Sequence, residues 1–469
     1  MKMIDCFIVK GTEDANKASI KSLEESPVVA RVEVVDSIRS TADVKAIAAS
    51  ATAPYTLIYT GVNHLQPGYL ALERLVHIAN DTDAAMLYSD YYAATADGTV
   101  KNAPVIDYQE GSLRDDFEFG GMILFKTAKL REAVEQLKTD YDFAGLYSLR
   151  LALSRLGSIV HVNEYLYTDA ETDTRASGKK IFDYVDPKNR AVQIEMEKAC
   201  TEHLKAIGAY LAPNFEDVDL NGGEFPVEAT VLIPVRNRVR TIADAIRSAL
   251  SQETDFDFNV IVVDNHSTDG TTEIIAGIAA EDRRVVHIIP ERKDLGIGGC
   301  WNLGANDSRC GRFAVQLDSD DVYSGPDTLA KIVKAFYDQK CGMVVGTYKL
   351  TDIDMNTIPP GIIDHKEWTD DNGRNNALRI NGLGAPRAFF TPMLREIGVP
   401  NTSYGEDYAL GLAFSRRHRI GRIWDVLYLC RRWEDNSDAA LDRVKMNGHN
   451  LYKDRIRTWE VIARRRLNS

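Results

Sequence analysis

From Ala229 onward the chain alternates short apolar runs with amphipathic ones, and this alternation limits the fold more than any other feature. Residues 229–234 form a β-branched run of strand length, and Ile242, Ile246, Ala249 and Leu250 then recur on one helical face. Residues 258–263 read as a second strand, closed by the turn Asp264-Asn-His-Ser-Thr-Asp-Gly270, which also caps a helix from Thr271. Residues 285–289, 312–317 and 343–345 read as further strands, with a helix from about Asp327 to Gln339 between the last two. Strands alternating with helices predict an α/β domain with a mostly parallel central sheet flanked by helices. Chemistry in such sheets gathers at the carboxyl ends of the strands, where Asp264 and Asp318 both fall.

The first half repeats this order in weaker form. Residues 3–9 resemble 229–234, residues 31–35 resemble 258–263, and residues 55–59 lie over 313–317. Gln66-Pro-Gly-Tyr-Leu70 matches Gly325-Pro-Asp-Thr-Leu329, and Met86 matches Met343. Farther on, residues 147–154 run like 408–415, and 162–167 like 423–428. Matches in one order argue for an internal duplication. Between the copies lie a charged helical stretch (190–207) and a loop containing Asn221-Gly-Gly, which read as a connector. The expected division is therefore 1–185, a connector over 186–225, and 226–469.

Composition narrows the function. The chain has 469 residues and a formal net charge of −13, which argues against a nucleic-acid partner, since phosphates repel a net anion. No apolar run is long enough to span a bilayer, and six scattered cysteines without a C-x-x-C suit a reducing cytoplasm.

The strongest chemical signal is Leu317-Asp318-Ser-Asp320-Asp321, carboxylates crowded just past a buried strand. Such a cluster repels itself unless it is solvated or neutralised, and a hard divalent cation, Mn²⁺ or Mg²⁺, suits oxygen ligands of this kind. The same cluster also reads as an ordinary acidic helix-capping turn. A second acidic pair, Glu406-Asp407 in Tyr404-Gly-Glu-Asp-Tyr408, opens an apolar helical run and reads equally as a helix start.

Taken in order, Pro234-Val-Arg236-Asn237, Asp264 to Gly270, Asp294 to Gly304, Asp318-Ser-Asp-Asp321 and Tyr404 to Tyr408 resemble the family 2 glycosyltransferases of the GT-A fold. The resemblance covers about 226 to 437 and implies an inverting, metal-dependent transfer of a sugar from a nucleoside-diphosphate donor, typically a UDP-sugar. The acceptor would be the hydroxyl of a glycan, a polysaccharide precursor or a glycolipid. It implies that Pro234, Arg236, Asn237, Asp264 and Asn302 hold the nucleotide, with Asp264 on the base. Asp318 and Asp320 would bind ribose and metal, and Arg431 and Arg432 would meet the diphosphate. Asp407 would act as general base, with Glu406 the next candidate. The sequence departs from the family pattern at Asp294, Cys300 and Trp301, where Asn, Ala and Arg are usual. Leu429 stands where a Q-x-x-R-W motif would begin, which argues against a processive membrane-embedded synthase.

Two other readings remain open. A nucleotidyltransferase or other nucleotide-sugar enzyme would want a glycine-rich phosphate loop after the first strand, which Pro234-Val-Arg-Asn-Arg does not supply. A non-enzymatic carbohydrate-binding scaffold suits the first copy, where Thr60-Gly-Val-Asn-His64 replaces the acidic turn and Phe143-Ala-Gly145 replaces Glu406-Asp407. That copy is expected to be a degenerate GT-A-like domain that scaffolds, forms a homo-oligomer or holds acceptor. The end of the chain, residues 453–467, reads as a basic amphipathic helix that either packs on the catalytic domain or lies peripherally on the inner face of a membrane.

Overall fold

The computed structural model describes residues 2–95, 97–170, 189–433 and 441–469. The chain divides into two compact units, Met1–Tyr210 with Leu441–Ser469, and Leu211–Ala440.

The first unit is built on an eight-stranded sheet of β1 (Ile4–Val9), β2 (Val29–Val35), β3 (Tyr55–Tyr59), β4 (Gln66–Pro67), β5 (Met86–Ala94), β6 (Val100–Ala103), β7 (Met122–Lys126) and β8 (Ile159–Ala170). Its order is β2-β1-β3-β7-β5-β8-β4, with β6 beside β5. The second unit has β9 (Ala229–Val235), β10 (Phe258–Asp264), β11 (Val285–Ile288), β12 (Phe313–Gln316), β13 (Val322–Tyr323), β14 (Met343–Thr351), β15 (Thr357–Ile363), β16 (Arg387–Phe390) and β17 (Ile420–Arg431). Its order is β11-β10-β9-β12-β16-β14-β17-β13, with β15 beside β14. Apart from β11, the two orders are the same.

Register carries the likeness to single residues. Tyr55 pairs with Ile4 and Lys126 as Phe313 pairs with Ala229 and Phe390. Met86 pairs with Phe125 and Ile159 as Met343 pairs with Phe389 and Ile420. Pro67 pairs with Tyr167 as Tyr323 pairs with Tyr428.

Both sheets are mixed, where the strand–helix alternation predicts mostly parallel ones. The reason is β7 in the first unit and β16 in the second, each inserted antiparallel between neighbours on both sides. These are short apolar runs outside the strand–helix rhythm, so the pattern alone does not reveal them.

The boundaries also differ from those expected. The helix Arg190–Ala206, read as connector, belongs to the first unit. The Glu195 carboxylate accepts from the backbone N–H of Phe143 (2.7 Å) and Ala144 (3.1 Å), at the helix start that replaces the Glu-Asp pair of the second copy. The final helix, Arg443–Asn468, also belongs to the first unit rather than to the domain that precedes it in sequence. Its Asp454 is fully buried and accepts from Arg114 Nε (3.1 Å), Ser112 Oγ (3.0 Å) and Arg457 Nη1 (2.8 Å). Buried charges left unpaired are costly, so this triad fixes where the helix docks. Among the described residues, no helix is long and apolar enough to cross a membrane.

Candidate active site

The site in the second unit begins where β9, β10 and β12 end. The turn after β9 is stitched to the turn after β10. Asn237, with φ of +55°, donates its N–H to Ser267 Oγ (3.0 Å), and its side-chain oxygen accepts from Thr268 N–H (2.8 Å). Arg238 N–H donates to Thr271 Oγ1 (2.8 Å), and Val239 N–H to Asp269 (3.1 Å). Pro234 lies within β9, while Arg236 and Asn237 are exposed beyond it.

Asp264 closes β10 but turns inward. It is fully buried and accepts from Ser267 N–H (3.0 Å) and Thr272 Oγ1 (2.5 Å), with His287 Nε2 at 3.5 Å. Burial pushes its carboxyl up, but the hydrogen bonds from Ser267, Thr272 and His287 outweigh burial and hold it below the usual range. Both oxygens therefore serve the turn itself, whereas the sequence resemblance gave this carboxylate to the nucleotide base.

Past β12 the acidic turn folds back on itself. Asp318 N–H donates to the Tyr428 hydroxyl (2.9 Å), and its carboxylate accepts both bonds of the Gln316 amide (2.9 and 3.0 Å). Asp321 is buried and accepts from Arg431 N–H (2.7 Å). The Asp320 carboxylate faces Arg238 Nε at 3.5 Å. Burial, then the charge of Asp320 and Asp318, drives the Asp321 carboxyl well up. Asp318 is raised by burial against the pull of Arg387 and Gln316, with Asp320 adding to the rise. Three carboxylates are thus neighbours in the acidic turn, with Arg238, Gln316 and Arg431 as their partners. Among the described residues no three His, Cys, Asp or Glu side chains converge to hold a metal alone.

The Glu-Asp pair opens the helix Glu406–Arg417 after Gly405, whose φ of +77° favours glycine. Asp407 Oδ2 lies 2.8 Å from Arg387 Nη1, while Oδ1 accepts from Tyr408 N–H (2.7 Å). Glu406 is different. Its carboxyl is raised by burial and by the adjacent Asp407 charge, and its buried Oε2 has no hydrogen-bond partner.

Arg387, at the start of β16, joins the two motifs. Its guanidinium meets Asp407, its N–H donates to Gln316 Oε1 (3.1 Å), and the Gln316 amide holds Asp318. The charges of Asp407, Asp318 and Glu406 raise the Arg387 pKa against burial. One polar chain therefore runs from Asp407 through Arg387 and Gln316 to Asp318. Neither Arg387 nor Gln316 stood out in the sequence. The available signal was an arginine opening a short apolar run after a proline, in a chain with two unneutralised acidic motifs.

Other expected residues fall into scaffold. The Asn302 amide closes a reciprocal pair with the Val399 backbone, donating to its carbonyl (2.6 Å) and accepting from its N–H (2.8 Å). The glycine-rich stretch is a packing surface, because a Cβ on Gly298 would stand 1.8 Å from the Pro400 carbonyl oxygen. Trp301 is buried edge-on against Phe389, with ring centroids 5.7 Å apart. Arg431 is buried, bonded to Asp244 (3.0 Å) and to the Asp320 carbonyl, so it braces the acidic turn. Arg432 N–H donates to the Thr351 carbonyl (2.7 Å). Residues 434–437, which the resemblance sets over the donor phosphates, lie outside the described residues.

At the matching strand ends of the first unit the polar contacts differ. Tyr59, at the end of β3, donates to Asp169 Oδ1 (2.6 Å), and the Tyr167 hydroxyl accepts from Gly121 N–H (2.7 Å). Both tyrosines and Asp169 are buried, and burial raises the Asp169 carboxyl even against its bond from Tyr59.

Comparison with known proteins finds glycosyltransferases. The chain is 35% identical over 94 residues to an uncharacterised glycosyltransferase of Rickettsia conorii, covering 20% of this chain and 15% of that protein. It is 27% identical over 189 residues to TuaG of Bacillus subtilis, a protein named for teichuronic acid biosynthesis, covering 40% of this chain and 72% of TuaG. It is 32% identical over 93 residues to a GalNAc(5)-diNAcBac-PP-undecaprenol beta-1,3-glucosyltransferase of Campylobacter jejuni, covering 20% and 29%. Among solved structures, S. aureus TarS 1-349 with UDP-GlcNAc aligns at a TM-score of 0.38 and 22% identity over 46% of this chain and 62% of TarS 1-349. Residues 230–397, which lie within the second unit, match the model of glycosyl transferase family 2.

Proposed function

We propose that this chain transfers a sugar from a nucleoside-diphosphate donor, a UDP-sugar by preference, to an acceptor hydroxyl with inversion at the anomeric carbon. The observation that carries the reading is the polar chain Asp407–Arg387–Gln316–Asp318, which ties the two acidic motifs into one site. The stitched turns at Asn237 and Asp264 form the nucleotide side, with Asp264 shaping the turn from within.

The acidic turn suits Mn²⁺ or Mg²⁺, since it places three carboxylates close together and offers oxygen ligands only. Asp320 and Asp318 would hold the ion, with donor and water supplying the remaining ligands. A cation bound there stabilises the charge that develops on the departing diphosphate. Arg431 keeps the turn in place from behind.

Asp407 is the base in this reading. Arg387 orients its carboxylate at 2.8 Å, ready to take the acceptor proton as the hydroxyl attacks. Burial and the adjacent Asp407 charge raise the Glu406 carboxyl, which sets it apart from Asp407. The first unit, with Thr60-Gly-Val-Asn-His64 and Phe143-Ala-Gly145 at the positions of the acidic motifs, serves as a non-catalytic copy.

The test is product analysis across a panel of nucleotide sugars with and without Mn²⁺. Metal-dependent release of free nucleoside diphosphate is expected from at least one donor. Release of sugar 1-phosphate instead would identify nucleotidyl transfer and overturn the reading.

A further inference from the structure

The last helix, Arg443–Asn468, has an outward face that the transfer reaction does not use. At about 100° per residue, Val444, Gly448, Arg455, Trp459, Ile462 and Arg466 fall within about 60° of one another, and all are exposed. Val444 is 71%, Trp459 56% and Ile462 39% exposed. Apolar side chains of this size on a docked helix would ordinarily turn inward.

Charge is sorted in the same way. The helix carries eight Lys and Arg and two acids, Asp454 and Glu460. Both acids are buried, Asp454 with Arg114 and Arg457, and Glu460 with Arg464 at 2.7 Å. The exposed positions of the helix therefore hold Lys445, Arg455 and Arg466 and no carboxylate. This occurs in a chain of net charge −13, so the positive face is local.

We propose that this face is a docking surface for an anionic lipid bilayer. Arg455 and Arg466 would meet headgroup phosphates, while Trp459, Ile462 and Val444 enter the headgroup boundary. Charge complementarity selects an anionic partner, and the apolar residues interleaved with the arginines select a bilayer over a dissolved polyanion. An indole sits well at that depth because it is apolar with one polar N–H. The binding is reversible and salt-sensitive, since a short stripe of this kind lacks the apolar length of a spanning helix.

The experiment is co-sedimentation of the full chain with vesicles of phosphatidylcholine alone or mixed with phosphatidylglycerol, alongside two double variants. One is Arg455→Glu with Arg466→Glu, and the other is Trp459→Ala with Ile462→Ser. All four positions are exposed, so circular dichroism should match the parent. The parent is expected to sediment with the anionic vesicles only, and each double variant to bind about tenfold more weakly. Failure of the parent to sediment with anionic vesicles would overturn the proposal. Equal binding by the charge-reversed variant would also overturn it. Loss of binding by that variant with unchanged binding by the apolar one would show a polyanion surface and overturn the bilayer as its occupant.

Discussion

Asp407 and Glu406 are adjacent carboxylates in opposite surroundings, and that contrast gives the sharpest residue-level expectations. Asp407 is held by Arg387, whereas Glu406 is half-buried with an unpartnered buried oxygen. Replacing Asp407 by Asn keeps its size but removes its ability to take a proton. Transfer should fall by about 10²–10⁴-fold while donor Kd stays near the parent value. A kcat near the parent's, measured beside donor affinity, would move the base elsewhere. For Glu406 the sign of the pH effect follows from its raised carboxyl. The folded state keeps a proton that the unfolded chain, with a glutamate near about 4.3, gives up. Its contribution to stability is complete below that ordinary value and is lost as pH rises toward the folded one. Glu406→Gln escapes this loss, so its unfolding temperature should gain on the parent's between pH 5 and pH 8. Thermal melts at both pH values check this, and a gap that shrinks with pH contradicts it. The acidic motifs were legible because each is contiguous. Arg387 was not, because its meaning depends on two partners distant in sequence, Gln316 and Asp407.

At the scale of elements, the strand–helix rhythm was readable wherever an apolar run had a regular neighbour. Strands β9, β10, β12 and β14 all begin within a residue of where the pattern sets them. Strands β7 and β16 escaped because each is four or five residues long and is defined by antiparallel pairing on both sides. The glycine-rich helix Ile297–Asn306 shows a related limit. Its glycines serve packing: Gly298 meets the Pro400 backbone, Gly299 the Asn401 side chain and Gly304 the Leu232 side chain. Gly298→Ala forces a Cβ to within 1.8 Å of the Pro400 carbonyl oxygen unless the loop moves. The expected cost is about 1–3 kcal/mol, as for an overpacked core. A lowered urea midpoint with unchanged slope is the predicted result, and an unchanged midpoint would mean that the loop yields freely.

At the scale of the whole molecule, the order of the weak sequence matches predicts an internal duplication, and the two units share strand order and register. What sequence order obscured was the ownership of the last helix. Adjacency assigns Arg443–Asn468 to the preceding unit, yet the buried charges of Arg114, Asp454 and Arg457 hold it on the first. The two copies differ most where chemistry would occur. The second keeps Asp318, Asp320, Glu406 and Asp407, while the first has Thr60 to His64 and Phe143 to Gly145 in their places. The central claim is that one unit alone binds nucleotide through a metal. Calorimetric titration of UDP into the full chain with Mn²⁺ present tests it most directly, run on the parent and on Asp320→Ala. The account predicts one metal-dependent site per parent chain and none in the variant. Two sites in the parent, or undiminished binding in Asp320→Ala, would contradict it.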